Sequence, residues 1–218
     1  MGANMKPTSI CLADDHVVVR QGIKALLEKQ KWLQVTAQAS TGREIIKIVA
    51  DAPPDLIIMD IAMPDMNGIE ATRRISELCP QTRIIILSVY SSAEHIHQAV
   101  AAGAGAYILK ESAGEELLDA IRVVQCNRLY LSSKIENDMP SIRENLGKKR
   151  SPLERLSPRE REILQFVVEG KTSSEIAEIL LLSSKTVDTY RFRLMQKLQV
   201  PDLAALIKFA IANGITTL

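Results

Sequence analysis

The stretch that decides the fold is "DLIIMDIAMPDMNG", residues 55–68. Leu56, Ile57, Ile58 and Met59 form a continuous apolar run, as expected of a strand buried on both faces of a parallel sheet. The run ends on a carboxylate, Asp60, and Pro64, Asn67 and Gly68 break it within eight residues. A buried strand that stops on an acid and opens into a loop reads as a mount for a reactive group.

Working outward, similar short runs occur at "SICLA", "LQVTAQA", "RIIILSV" and "AYILK". Segments of helical spacing lie between them, such as Val19, Ile23, Leu26 and Leu27, and later Leu117, Leu118, Ile121 and Val124. Five strands alternating with helices predict an α/β domain with right-handed crossovers and a doubly wound parallel sheet, over residues 8–128. Residues 129–152 collect Lys, Arg, Asn, Ser, Gly and Pro with little apolar period and read as a linker, part of it able to form a short helix against either domain. Residues 153–218 read as a small all-α domain of four helices. Ser157, Pro158 and Glu160 make a capping box closed by Gly170, and Thr172 with Glu175 repeats the box. "SSKTVDTYRFRLMQKL" and "DLAALIKFAIANG" supply the third and fourth helices.

The chain has 218 residues, a net charge of +1, 46% hydrophobic and 24% charged residues. That is enough chain for two modest domains, and no global charge argues for nucleic acid or a membrane. Residues 151–218 hold nine basic and eight acidic side chains, so any DNA contact depends on where those charges sit. Cys11, Cys79 and Cys126 are odd in number and far apart, which fits packing in a reducing cytosol. Neither a signal-peptide core nor a run of about 20 apolar residues is evident, so a cytoplasmic protein without membrane contact is expected.

In an open parallel sheet, ligands bind beyond the carboxyl ends of the strands. Here the first strand ends in Asp14 and Asp15, the third in Asp60, the fourth in Ser88 and the fifth in Lys110. Converging carboxylates need a cation, and two or three of them with waters suit Mg²⁺. Lys110 and the Ser88 hydroxyl then meet an anion brought to the metal, an arrangement for phosphoryl transfer to Asp60 as nucleophile.

Residues 8–128 resemble the receiver domain of two-component response regulators. "LADDH" matches its acidic pair, "DLIIMDIAMPDMNG" its phosphoacceptor strand and loop, "IIILS" its hydroxyl strand and "GAYILK" its aromatic–lysine strand. The resemblance implies strand order 2-1-3-4-5, Mg²⁺-dependent transfer from the phosphohistidine of a sensor histidine kinase to Asp60, and metal coordination by the Ala62 carbonyl. It also implies movement of Ser88 and Tyr107 towards the phosphoryl group. Glu111 stands where many receivers have proline, so no cis peptide is carried over. Ala62 and Tyr90, each two residues past a site residue, flank the path of hydrolytic water in the family, and predict a slowly decaying phosphoprotein.

"LSPREREILQFVVEGKTSSEIAEILLLSSKTVDTYRFRLMQKLQV" is similar to the LuxR-type helix-turn-helix, the output module of the NarL/FixJ family. The resemblance implies that residues 185–193 enter the major groove of double-stranded DNA. Asp188, Thr189 and Phe192 would face base edges; Lys185, Thr186, Tyr190, Arg191 and Lys197 would lie nearer phosphates, and Arg193 at the edge of the contact face. Tyr190 stands where many relatives have His. Asp188 would accept from a cytosine amino group or pair with a nearby arginine, and Phe192 would touch a thymine methyl. So few basic residues predict a shallow salt dependence of non-specific binding. The fourth helix closes the small core or serves homodimerisation on paired half-sites.

The whole reading is a phosphorylation-controlled transcription regulator rather than an enzyme. An aspartate-nucleophile phosphatase would want a second Asp where Ala62 stands. A phosphorylation-independent DNA-binding protein with a vestigial receiver is the alternative, and the complete set Asp14, Asp15, Asp60, Ser88 and Lys110 speaks against it.

Overall fold

A computed structural model of the chain describes residues 6–138 and 152–216. The N-terminal half alternates β1 (Thr8–Ala13), α1 (Val17–Glu28), β2 (Leu33–Ala39), α2 (Gly42–Asp51), β3 (Leu56–Asp60), α3 (Gly68–Leu78), β4 (Arg83–Ser88), α4 (Ala93–Ala101), β5 (Ala106–Leu109) and α5 (Ala113–Gln125). All strand pairs are parallel, in the order β2-β1-β3-β4-β5. Every residue of β3 is buried, because helices cover both faces of this central strand. One face packs Ile57, Met59, Ile84 and Ile86 against α2, α3 and α4. The other packs Ile10, Leu12, Ile58 and Ile85 against α1 and α5.

The sheet has a sixth strand, β6 (Tyr130–Leu131), where the sequence reads as linker. The Tyr130 and Ser132 amides donate to the carbonyls of Gly105 (3.1 Å) and Tyr107 (2.9 Å), which covers the edge of β5. Leu131 and Ile135 join the core, and the Glu116 carboxylate accepts from Ser132 and from Ser133, the first residue of the following 3-10 turn, Ser133–Asp138. A two-residue strand has no readable period, hence the expectation of five strands. The peptide between Lys110 and Glu111 is trans.

The C-terminal half is α6 (Pro158–Val168), α7 (Ser173–Leu180), α8 (Ser184–Leu198) and α9 (Leu203–Ala212), after a 3-10 turn at Pro152–Arg155. Both capping boxes form, at Ser157/Glu160 and Thr172/Glu175. Ile163, Phe166, Ile176, Val187, Leu194, Leu206 and Ala210 make a separate core. Leu206 and Ala210 spend the inner face of α9 on that core, while Leu203 is 45% exposed.

The two halves touch through α6 and the turn after α9. The Arg161 guanidinium meets the buried Glu70 carboxylate at 2.7 Å. Arg43 bonds to Glu162 and lies 5.3 Å from the Phe166 ring centroid. Gly214, at φ +62°, lies so close to His95 that a Cβ there would sit 2.6 Å from the His95 Nε2.

Candidate functional site

Two loops set the acidic site. β1 delivers Asp14 and Asp15 at its carboxyl end, and β3 delivers Asp60 beside them. α3 begins hard against the back of Asp60: a Cβ at Gly68 would stand 1.9 Å from the Asp60 carbonyl oxygen, so only glycine allows this approach. Asn67 caps α3, its side-chain oxygen accepting from the Glu70 amide (2.9 Å). Asp65 adopts φ +63°, completing the tight return from strand to helix.

Asp14, Asp15, His16 and Asp60 offer donor atoms that all lie within 4.8 Å of one another. Lys110 Nζ is 2.8 Å from both Asp14 Oδ2 and Asp60 Oδ2. Burial pushes the Asp60 carboxyl up to about 6 against the pull of Lys110, and Asp14 adds to the push. Lys110 is held above its ordinary value because the pull of Asp60 and Asp14 outweighs burial. One cation thus serves two carboxylates, leaving room for more positive charge. Hard oxygen donors with a surplus of negative charge fit Mg²⁺.

His16 is the group that the sequence pattern did not single out. Its Nδ1 lies 2.7 Å from Asp15 Oδ1, and its amide donates to Asp14 Oδ1 (2.8 Å). The adjacency in "DDH" was the available signal. Arg20 also supports the site by donating to the Asp14 carbonyl.

Ser88 is buried at the end of β4, and its hydroxyl accepts from the Tyr90 amide (3.0 Å). Tyr107 is fully buried, and its hydroxyl donates to the Tyr90 carbonyl (2.8 Å). The Tyr90 ring stacks on His95 at 4.6 Å between centroids, and His95 meets Gly214. Contacts therefore run without a gap from the hydroxyl strand to the turn after α9. Burial raises the Tyr107 hydroxyl, so it stays a protonated donor.

The helical domain sits beside the acidic site. The Asp65 amide donates to Glu169 Oε1 (2.8 Å), and the Asn67 amide group donates to Gln165 Oε1 (3.2 Å). Asp15, Ala62, Met63 and Pro64 face Gln165, Glu169, Ile215 and Thr216 across a cleft of about 130 Å³.

α8 is not covered by the other half. Lys185, Asp188, Thr189, Phe192 and Arg193 are exposed, Phe192 by 63%. Ser183, Lys185, Thr186, Thr189, Tyr190 and Arg193 line an open groove of about 360 Å³. The Thr189 hydroxyl bonds back to the Lys185 carbonyl (2.9 Å). Two predicted phosphate contacts have internal partners. Lys197 binds the Glu160 carboxylate at 2.7 Å, and Arg191 donates to Ser173 Oγ at 2.9 Å.

Comparison with known proteins follows the same division. Residues 10–122 match the family described as response regulator receiver domain, and residues 154–210 match bacterial regulatory proteins of the luxR family. The transcriptional regulatory protein LiaR of Bacillus subtilis is 37% identical over 204 residues, 94% of this chain and 97% of that protein. The response regulator UvrY of Escherichia coli is 35% identical over 207 residues, 95% of each. Among solved structures, the Salmonella typhimurium RcsB response regulator superposes with a TM-score of 0.65 at 26% identity, covering 96% of this chain and 99% of that one. Another holds two RcsB dimers bound to two parallel DNAs, with a TM-score of 0.60 at 25% identity and coverage of 95% and 99%.

Proposed function

The chain belongs to the response regulators that join a receiver to a LuxR-type DNA-binding domain, and from that premise we propose that phosphorylation of Asp60 governs its binding to promoter DNA. The observation that carries this reading is the convergence of Asp14, Asp15 and Asp60 on Lys110 at the carboxyl edge of the sheet. Mg²⁺ held by Asp14, Asp15, Asp60 and the Ala62 carbonyl would neutralise the carboxylates and the transferred group. The bond from phosphorus to the kinase histidine nitrogen breaks, with its electron pair returning to that nitrogen, while the Asp60 carboxylate forms the new O–P bond. Lys110 then turns from carboxylate partner to phosphoryl partner, and Ser88 donates its hydroxyl proton to a phosphoryl oxygen. Because the Ser88 oxygen accepts from the Tyr90 amide, a turn of that hydroxyl towards the phosphoryl group would draw the Tyr90 loop with it, and Tyr107, bonded to the Tyr90 carbonyl, would follow.

The partners in this reading are a sensor histidine kinase, double-stranded promoter DNA and a second copy of the chain. RcsB dimers bind DNA, and exposed Leu203 on α9 supports pairing of two copies of this chain through that helix. We take residues 8–128 as the receiver, 129–152 as the linker, whose first residues add β6, and 153–218 as the DNA-binding domain. No helix among the described residues is long and apolar enough to cross a membrane, and a regulator acting on DNA fits the cytoplasm.

Two measurements test the proposal together. Incubation with a small phosphodonor and Mg²⁺ should add one phosphoryl group per chain, labile to alkali and hydroxylamine as an acyl phosphate is, and footprinting on genomic DNA should reveal sites whose occupancy depends on it. Occupancy identical with and without phosphorylation would favour the vestigial-receiver alternative.

Phosphoryl lifetime gives a narrower expectation. Ala62 cannot orient water, and the Tyr90 ring is held against His95. Ala62→Asn, which places an amide able to orient that water, should therefore speed loss of the phosphoryl group. An unchanged decay curve would remove Ala62 from the account of lifetime.

A further inference from the structure

Asp188 is the unexpected residue of the exposed helix, because a carboxylate facing DNA repels phosphates within a Debye length of about 8 Å at physiological salt. Its Oδ1 accepts from the Ser173 hydroxyl at 2.6 Å, and the Arg191 Nη1 donates to the same Ser173 oxygen at 2.9 Å. A carboxylate only accepts and a guanidinium only donates, so the single hydroxyl proton must point at Asp188. Ser173 thus joins an anion and a cation into one neutral unit. It lies in the first turn of α7, outside α8 altogether.

Asp188 stands three residues after Lys185 and four before Phe192, so all three share one exposed face. With Oδ1 engaged, Oδ2 is the oxygen left to face a base. We propose that Ser173 is a positioning residue for base recognition: it holds Asp188 so that the free carboxylate oxygen accepts from the amino group of a cytosine. This rests on the reading of the chain as a DNA-binding regulator and names what that surface recognises. In the major groove only cytosine N4 and adenine N6 donate, and adenine sets the N7 acceptor beside its donor, where it repels a carboxylate. Guanine and thymine offer acceptors alone in the same place. Arg191, joined through Ser173, offsets the cost of bringing Asp188 near phosphates. Without Ser173 the carboxylate is free to swing onto Arg191 and leave the groove.

The test is selection from randomised duplex DNA by the full chain, phosphorylated with a small phosphodonor and Mg²⁺, read by sequencing. The wild-type chain should favour cytosine about tenfold over other bases at one position of each half-site. Ser173→Ala and Asp188→Ala should each reduce that preference to below about threefold, leaving the other positions unchanged. Ser173→Thr should retain it, and the double variant should lose no more than Asp188→Ala. Loss of binding that is even across all positions in Ser173→Ala would make the hydroxyl merely structural and overturn the proposal. So would a cytosine preference that survives Asp188→Ala, a variant whose exposed side chain keeps the test open if Ser173→Ala fails to fold. A wild-type chain that enriches sequences without this cytosine overturns the inference alone. One that enriches no sequence overturns the DNA-binding reading beneath it.

Discussion

Replacing Asp60 by Asn is expected to abolish phosphoryl uptake and, in metal-free solution at pH 7, to make the protein more stable. Burial holds the Asp60 carboxyl at about 6, against an ordinary value of 3.8. The folded chain therefore binds this proton more tightly than the unfolded chain does. Stability from this group is fully present below about pH 4 and is lost as pH rises through 6, because the unfolded state ionises first. A rise from 3.8 to about 6 corresponds to roughly 3 kcal/mol at neutral pH. Asn at position 60 removes that cost while keeping the shape of the side chain. For a chain of this size the melting temperature should rise by roughly 5–10 °C in a chelating buffer at pH 7. The gain should shrink towards pH 4, and adding Mg²⁺ should stabilise the wild-type chain more than the variant. Normal phosphoryl uptake by Asp60→Asn would sink the assignment of the phosphoacceptor. A variant that melts lower than the wild type at pH 7 without metal would refute the electrostatic account of the site.

This trade explains the form of the opening stretch. Leu56–Met59 drive the strand into the core, and that burial makes Asp60 costly to ionise. The same burial fixes its carboxylate within reach of Asp14, Asp15 and Lys110. Gly68 lets α3 close against the Asp60 carbonyl, so the carboxylate has little freedom to swing away.

These parts were legible in the sequence because each depends on neighbours along the chain. An apolar run ending on an acid, a Ser-x-x-Glu box and a helical apolar period all survive without knowledge of the fold. Lys110 was readable for the same reason, at the end of its own strand. The contacts that carry no such period were not readable. Arg43 meets Glu162 across 119 positions, and Arg161 meets Glu70 across 91. Nothing in "TGREII" marks Arg43 as a partner of another domain rather than a solvated charge. Ser173 reads as a filler next to a helix cap until α8 is folded against α7. Likewise the two residues of β6 look like linker until the edge of β5 is seen to need a cover.

The long-range pairs lead to the second large expectation: Arg43→Glu should separate the two halves and speed phosphoryl uptake, with little change in the DNA affinity of the unphosphorylated chain. The Arg43 guanidinium is engaged by Glu162 and the Phe166 ring, both in the helical half. Reversing its charge sets two carboxylates against each other, one of them Glu162 at 8% exposure. Losing the sole partner of a buried charge costs about 3–5 kcal/mol, but Glu162 keeps Arg159 at 2.6 Å and Arg43 is partly exposed, which reduces this to about 1–3 kcal/mol. That is enough to shift the docked-to-undocked ratio by about five- to 150-fold. In the docked form Gln165, Glu169, Ile215 and Thr216 stand across a narrow cleft from Asp15, Ala62 and Pro64, in the path of an approaching phosphohistidine. Undocking removes them and widens access to Asp60. The contact face of α8 is already open in the docked form, so its encounter with DNA gains little from separation. Small-angle scattering should show a larger radius of gyration for Arg43→Glu, and uptake from a phosphorylated kinase should be several-fold faster. Unchanged scattering would mean that Arg43 does not hold the halves together. Greater spread with unaltered uptake would mean that the docked helical domain does not screen the phosphoacceptor.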